Sequence, residues 1–241
     1  MYPENIVIDA ADPQRLGRFW EDALGGERLT DRPEGFETRV TVGAGPVLDV
    51  CLPRVGDPLL AAPRLHLDLA GGARQGQVVE RLVGLGARHL DIGQGTVPWV
   101  VLADPEGNPF CVMEDRAAYR DTGPIAALPL DCADPARDAA FWSWLTGWTE
   151  LPGASLRSLR HPSRRGPLLE LCPEGSAKGT AKNRLHLDVR LEAGEDPDEV
   201  AASIVERGGR ELAAAEVPWR VYQDPSGNEF CVLPSSVAPA L

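Results

Sequence analysis

The chain repeats itself, and the repeat limits its folds more than any other feature. Asp9-Ala-Ala-Asp-Pro recurs as Asp131-Cys-Ala-Asp-Pro, and Phe19-Trp20 recurs as Phe141-Trp142 at the same offset of 122. Gly45-Pro46 with Asp49 and Cys51 returns as Gly166-Pro167 with Glu170 and Cys172. Arg64-Leu-His-Leu-Asp68 returns as Arg184-Leu-His-Leu-Asp188. Val97-Pro-Trp99 and Val217-Pro-Trp219 match. So do Asp104-Pro-Glu-Gly-Asn108 with Phe110-Cys-Val and Asp224-Pro-Ser-Gly-Asn228 with Phe230-Cys-Val. The 241 residues therefore divide into units 1–115 and 124–241, with a polar linker at 116–123.

Each unit carries a fainter half-repeat, in which Leu24-Gly-Gly26 maps to Leu85-Gly-Ala87. Asn5–Ala10 reads as a short apolar strand. Asp12 followed by Pro13 is a helix start, and Gly25-Gly26 a helix stop. Between them Leu16, Phe19, Trp20 and Ala23 form one apolar face. Phe36–Val42 and Val47–Leu52 read as strands. Arg64–Ala70 alternates strictly, with Leu65, Leu67 and Leu69 on one face and His66 and Asp68 on the other. A helix from about Gln75 to Leu85 follows, then strands His89–Ile92, Trp99–Ala103 and Phe110–Met113. The order is βαβββ, four times, an α+β class with helices on one face of a curved sheet. The Leu face packs on helices, and His66, Asp68, His186 and Asp188 face the opposite, concave side.

Composition narrows the partners. The formal net charge of −12 lacks the positive footprint that nucleic acid or an anionic membrane needs. No apolar run approaches a membrane span, and the start of the chain does not read as a signal peptide. Five cysteines without a CxxC pair suit free thiols in a reducing cytoplasm. Lysine occurs only at Lys178 and Lys182, which reads as a compositional bias toward arginine.

Paired βαβββ modules, a Phe-Trp-x-x-x-Leu-Gly helix end and a closing Asp-Pro-x-Gly-Asn hairpin resemble the vicinal oxygen chelate superfamily. Its glyoxalase-like branch carries the same Leu-His-Leu-Asp and Trp-x-x-x-x-Asp-Pro-x-Gly-Asn-x-Phe-Cys-Val runs. The resemblance implies two tandem glyoxalase-like domains, each of two βαβββ modules forming a curved sheet around a cleft. One chain then stands in for the homodimer of single-domain relatives, as a monomeric pseudo-dimer or itself a homodimer. Modules pair within a repeat or swap between repeats.

The superfamily's metal users place ligands on the first and last strands of each module. Carried over, these positions fall on Asn5, His66, Cys111 and either Asp49 or Cys51 in the first unit. In the second they fall on Ala127, His186, Cys231 and either Glu170 or Cys172. Asn5 is a poor ligand and Ala127 none, so no metal cofactor is expected. A three-ligand zinc site of His66, Cys111 and Asp49 or Cys51 is the alternative. The expected function is binding of a small organic molecule, for sequestration or self-resistance. The acids and Trp99 or Trp219 suit a cationic or aromatic ligand. The ligand-binding set is Asn5, Asp49, Cys51, His66, Asp68, Trp99, Cys111, Glu170, Cys172, His186, Asp188, Trp219 and Cys231. The alternative function is a glyoxalase-type lyase or isomerase, with His66 or His186 as base tuned by Asp68 or Asp188. A His and an Asp two residues apart on one strand are expected some five to seven Å apart, close enough for electrostatic coupling but not obviously for a direct bond. Plainer readings also stand: cleft histidines that only hydrogen-bond, cysteines and tryptophans that only fill core. Differences such as Asn5 against Ala127 and Asp49 against Glu170 predict unequal clefts, with the first repeat's the better binder.

Overall fold

The computed structural model describes residues 1–56, 63–153, 156–213 and 217–236. Four βαβββ modules follow one another. The first is β1 (Tyr2–Ile8), α1 (Pro13–Leu24), β2 (Glu27–Arg32), β3 (Gly35–Thr41) and β4 (Val47–Pro53). The second is β5 (Asp68–Ala70), α2 (Gln75–Gly84), β6 (Arg88–His89), β7 (Val100–Ala103) and β8 (Pro109–Met113). The third is β9 (Ile125–Cys132), α3 (Pro135–Thr146), β10 (Thr149–Glu150), β11 (Arg157–Arg160) and β12 (Leu168–Pro173). The fourth is β13 (Leu185–Arg190), α4 (Pro197–Glu206), β14 (Arg210–Leu212), β15 (Arg220–Gln223) and β16 (Glu229–Leu233).

Local chemistry sets the helix limits. The Asp12 carboxylate accepts from the Arg15 amide, Pro13 fills the first turn, and Gly25 ends α1 in the left-handed region at φ 65°. The second repeat copies this with Asp134 and Gly147. Gly17 sits mid-helix for a different reason. A Cβ there would stand 2.1 Å from Cγ of Phe36, so the missing side chain lets β3 press its phenyl ring under α1.

The modules form two eight-stranded curved sheets. Sheet I runs β14-β15-β16-β13-β1-β4-β3-β2, and sheet II runs β10-β11-β12-β9-β5-β8-β7-β6. The expected cleft in each repeat is therefore corrected. β1 pairs with β13 and β5 with β9, so each sheet takes one module from each repeat. Modules one and four make sheet I; modules two and three make sheet II.

The aromatic core, by contrast, stays within repeats. Phe19 and Trp20 of α1 meet the ring of Phe110 on β8 edge-on, with centroids 6.0 and 5.2 Å away. Phe141 and Trp142 meet Phe230 in the same way. Each indole finds a partner in the neighbouring hairpin: Trp20 Nε1 donates to Asp104 at 3.2 Å, and Trp142 Nε1 to Asp224 at 3.1 Å. The Asp-Pro-x-Gly-Asn turns are thus structural anchors. Two buried arginines lash the sheets together: Arg184 binds Glu106 and the Asp9 carbonyl, and Arg64 binds Asn228 and Glu174.

Two expected strands are shorter than the alternation suggested. Of Arg64–Ala70 only the last three residues are regular strand, with Leu65 held to Leu130 by a single bridge, and His89–Ile92 reduces to Arg88–His89. The faces are nonetheless as expected: Leu65, Leu67 and Leu69 are in the core.

Candidate functional site

Register decides which residues meet. Across sheet I, Asn5 stands opposite Asp188, which is level with Cys231, and Val7 stands opposite His186. Asn5 Nδ2 donates to Asp188 Oδ2 at 3.1 Å. His186 Nε2 lies 3.5 Å from Asp188 Oδ1 and 3.7 Å from Cys231 Sγ. On sheet II, His66 Nδ1 lies 3.1 Å from Asp68 Oδ1, and Cys111 is level with Asp68 on the parallel neighbour. In each sheet a His, an Asp and a Cys of one module bring donor atoms within 4.8 Å of one another.

The expected groupings change accordingly. Asn5 and Cys51 do not join His66 and Cys111; they face His186, Asp188 and Cys231. Glu170 and Cys172, expected beside His186, stand on the sheet of His66 and Asp68. Asp49 is withdrawn from ligand binding by Arg39, which clasps its carboxylate with bonds of 2.8 and 2.7 Å. The His and Asp side chains touch at 3.1 and 3.5 Å, because they turn toward each other across the pleat rather than standing parallel.

Sheet I walls a cavity of about 1550 Å³. Asn5, Cys51, His186, Asp188 and Cys231 line it together with apolar Val7, Leu52, Val217, Val221 and Trp219. Trp219 is 38% exposed. The loop after β12 also lines it, and both lysines of the chain sit there. Lys178 pairs with Glu229 and Lys182 with Asp9. The other lining cations are also held: Arg190 by Glu4 and Arg210 by Gln223. Glu37, which accepts from the Cys51 thiol at 3.5 Å, forms no ion pair among the described residues. Arg210 keeps its charge because Gln223 is neutral, but the lining carboxylates Asp9, Glu34, Glu37, Glu174, Asp188 and Glu229 outnumber the cations Lys178, Lys182, Arg190 and Arg210, so negative charge is in excess. The cavity is lined by His186 and not by His66.

Electrostatics separates the two histidines. Complete burial, aided by Lys182, pushes His186 down to about 3, leaving its imidazole neutral at pH 7. Burial raises Asp188 to about 6, against donation from Asn5 and Cys231. For His66 burial also opposes the charge, but Asp68, Asp131 and Glu170 outweigh it and raise the imidazole. Burial raises the thiols of Cys51, Cys111 and Cys231 too, so they stand as neutral groups.

Part of cleft II is covered from within. After β8 the chain turns through Ala117–Tyr119 and drops two side chains onto the sheet. The Arg116 guanidinium lies over the Trp99 ring at 5.6 Å and the Tyr119 ring at 5.5 Å. The Tyr119 hydroxyl donates to Glu170 at 3.4 Å. Trp99 and Tyr119 pack on Cys111, Met113 and Ala126. Burial beside Asp68 pushes Glu170 up to about 7. Arg116 and Tyr119 were missed from sequence because they lie in the linker, which reads as a polar connector.

The profile of the family described as "Glyoxalase-like domain" matches residues 5–113 and again 127–233. The chain belongs to the glyoxalase-like domain family. With its tandem domains it falls in the vicinal oxygen chelate superfamily. Glyoxalase I from Zea mays superposes with a TM-score of 0.65 at 17% identity, over 97% of this chain and 92% of that one. A putative dioxygenase from Bacillus subtilis subsp. subtilis str. 168 gives 0.61 at 13%, over 99% and 86%. At such identities the likeness is one of fold. No curated protein matches the chain significantly.

Metal-using members of the superfamily raise the question of whether these residues fit an ion. The donor sets fit in kind: nitrogen, oxygen and sulfur converge, each His faces its Asp at 3.1 or 3.5 Å, and His186 Nδ1 is buried without a hydrogen-bond partner. His186, Asp188 and Cys231 in sheet I, and His66, Asp68 and Cys111 in sheet II, are the residues that would hold zinc. Asn5 and Ala127 supply no fourth ligand.

Proposed function

We propose that this glyoxalase-like protein binds a small organic molecule in cleft I, in the manner of a sequestering or self-resistance protein. The observation that supports it most is the 1550 Å³ cavity against sheet I, with a polar floor at Asn5, His186 and Asp188 and an apolar wall ending in Trp219. The volume exceeds the roughly 300–1,000 Å³ common for drug-sized ligands. Its lining carries more carboxylates than cations, which favours a cationic or amine-bearing aromatic ligand stacked on Trp219. Neutral thiols and a neutral His186 give the floor polarity without a ready nucleophile.

The test is titration with amine-bearing aromatics, tyramine and benzamidine among them, followed by tryptophan fluorescence. Binding in cleft I quenches the wild type, and Trp219→Phe removes that signal. Asp188→Asn weakens binding about five- to a hundredfold, the 1–3 kcal/mol cost of a lost charged partner. Full affinity in Asp188→Asn and an unchanged signal in Trp219→Phe would sink the reading.

The orphaned donor atoms favour a second reading, a lyase or isomerase of glyoxalase type. Bound zinc would supply a Lewis acid beside His186 or His66. Asn5 would orient Asp188, and in a metal-independent form His186, neutral at pH 7, would be free to accept a proton from substrate. Elemental analysis separates the readings. Binding alone expects less than about one zinc per chain, since three donors without a fourth hold it weakly. Stoichiometric zinc puts the enzyme first.

A further inference from the structure

Trp99 and Trp219 occupy equivalent places in the two repeats, but their surroundings differ. Trp219 lines an open cavity. Trp99 lies under Arg116, whose guanidinium also faces Tyr119, and the Tyr119 phenol reaches Glu170. The chain has thus placed a cation and a phenol, 3.3 Å apart, on the sheet where a ligand of cleft II would lie.

The segment carrying them is built as an insert. Ala117, Ala118, Arg120 and Asp121 are exposed, while Arg116 and Tyr119 reach inward. Thr122, buried and bonded to the Tyr119 carbonyl, pins the turn. The insert does not bond to His66 or Asp68 in the polar floor beneath it: His66 Nδ1 and Asp68 Oδ1 face each other at 3.1 Å, and Glu114 Oε2 is buried without a hydrogen-bond partner. A floor shaped only to receive the linker would bond to it at these groups. The arrangement has the character of a site held by a substitute.

We infer that cleft II is a second ligand site, kept filled by the chain's own Arg116 and Tyr119, and that it takes the chemistry they present: an aromatic ring bearing a cationic nitrogen. The wild-type chain then binds in cleft I alone, and cleft II becomes available when the insert is removed or displaced. The choice of ligand class rests on the binding function proposed above; the filling of cleft II does not.

The experiment uses the full chain and tyramine, a phenol carrying a primary ammonium. Isothermal titration compares the wild type with Arg116→Ala/Tyr119→Ala, circular dichroism confirming that the variant is folded. The expected result is one additional binding equivalent in the variant, lost again when Glu170→Gln is added. An unchanged stoichiometry in the folded variant overturns the inference. If the wild type binds none and the variant one, the inference stands and the cleft I reading fails. If both bind one, the reverse holds. Should the double variant not fold, the single variant Tyr119→Ala decides in the same titration: one additional equivalent over the wild type supports the inference, and none rejects it.

Discussion

Glu170 shows how one carboxyl can carry a pH dependence for the whole chain. Burial next to Asp68 raises it to about 7, while Arg116, Tyr119 and His66 pull the other way. A carboxyl raised in the folded state binds more protons there than when unfolded. Its contribution is complete below about 4.5 and fades as the pH climbs through about 7. Glu170→Gln should therefore flatten the fall in stability across this window, by roughly 1–3 kcal/mol, as read by urea denaturation at about pH 5 and about pH 8. A wild type equally stable at both would show that the carboxyl is not held up. At this scale the sequence placed the histidines and acids on the expected face and misjudged their company. His66, Asp68, Cys111 and their copies share concave faces as alternation requires. Which of them share a cleft depends on strand pairing over more than a hundred residues, and no local pattern encodes that. The Arg39 clasp on Asp49 was hidden for the same reason, since only the β3–β4 register brings them level.

Elements were legible where their signals are short in range. Asp12, Pro13 and Gly25 bound α1 because cap and stop chemistry acts within a few residues. β2 and the two-residue β6 carry no comparable apolar rhythm and are exposed along most of their length. Gly17 tests the packing of α1 on β3. Alanine would gain roughly 1 kcal/mol in helix propensity, yet its Cβ would collide with the Phe36 ring, and overpacking costs about 1–3 kcal/mol. The balance is a loss, so Gly17→Ala should lower the melting temperature in calorimetry, and Gly17→Ala/Phe36→Leu should recover part of it. A rise in the single variant would mean that β3 has room to retreat.

For the whole molecule the twofold architecture followed from the repeats, whereas the exchange of modules between sheets did not. Either pairing would satisfy the same alternation, and the choice is made by contacts such as Asn5 with Asp188 and Arg64 with Asn228. Residues 1–115 alone hold half of each sheet, with the β1 and β5 edges that meet β13 and β9 left bare. Unpaired edges of this kind recruit partners. This fragment should sediment as a dimer, with β1 of each copy pairing with β5 of the other in place of the absent β13 and β9. A well-folded monomer would contradict that expectation.

The pairing is also nested: modules two and three lie between modules one and four in the chain. On a ribosome, the Ala117–Tyr119 turn emerges before β9 to β12, and sheet II is complete once residue 173 is out. β1, made first, has no antiparallel partner until β13 is synthesised, and the wall of β14 to β16 comes last. Long-range closure of this sort is slow. The nascent protein can therefore assemble sheet II early, and it gains its open cavity only once β13 to β16 have been made.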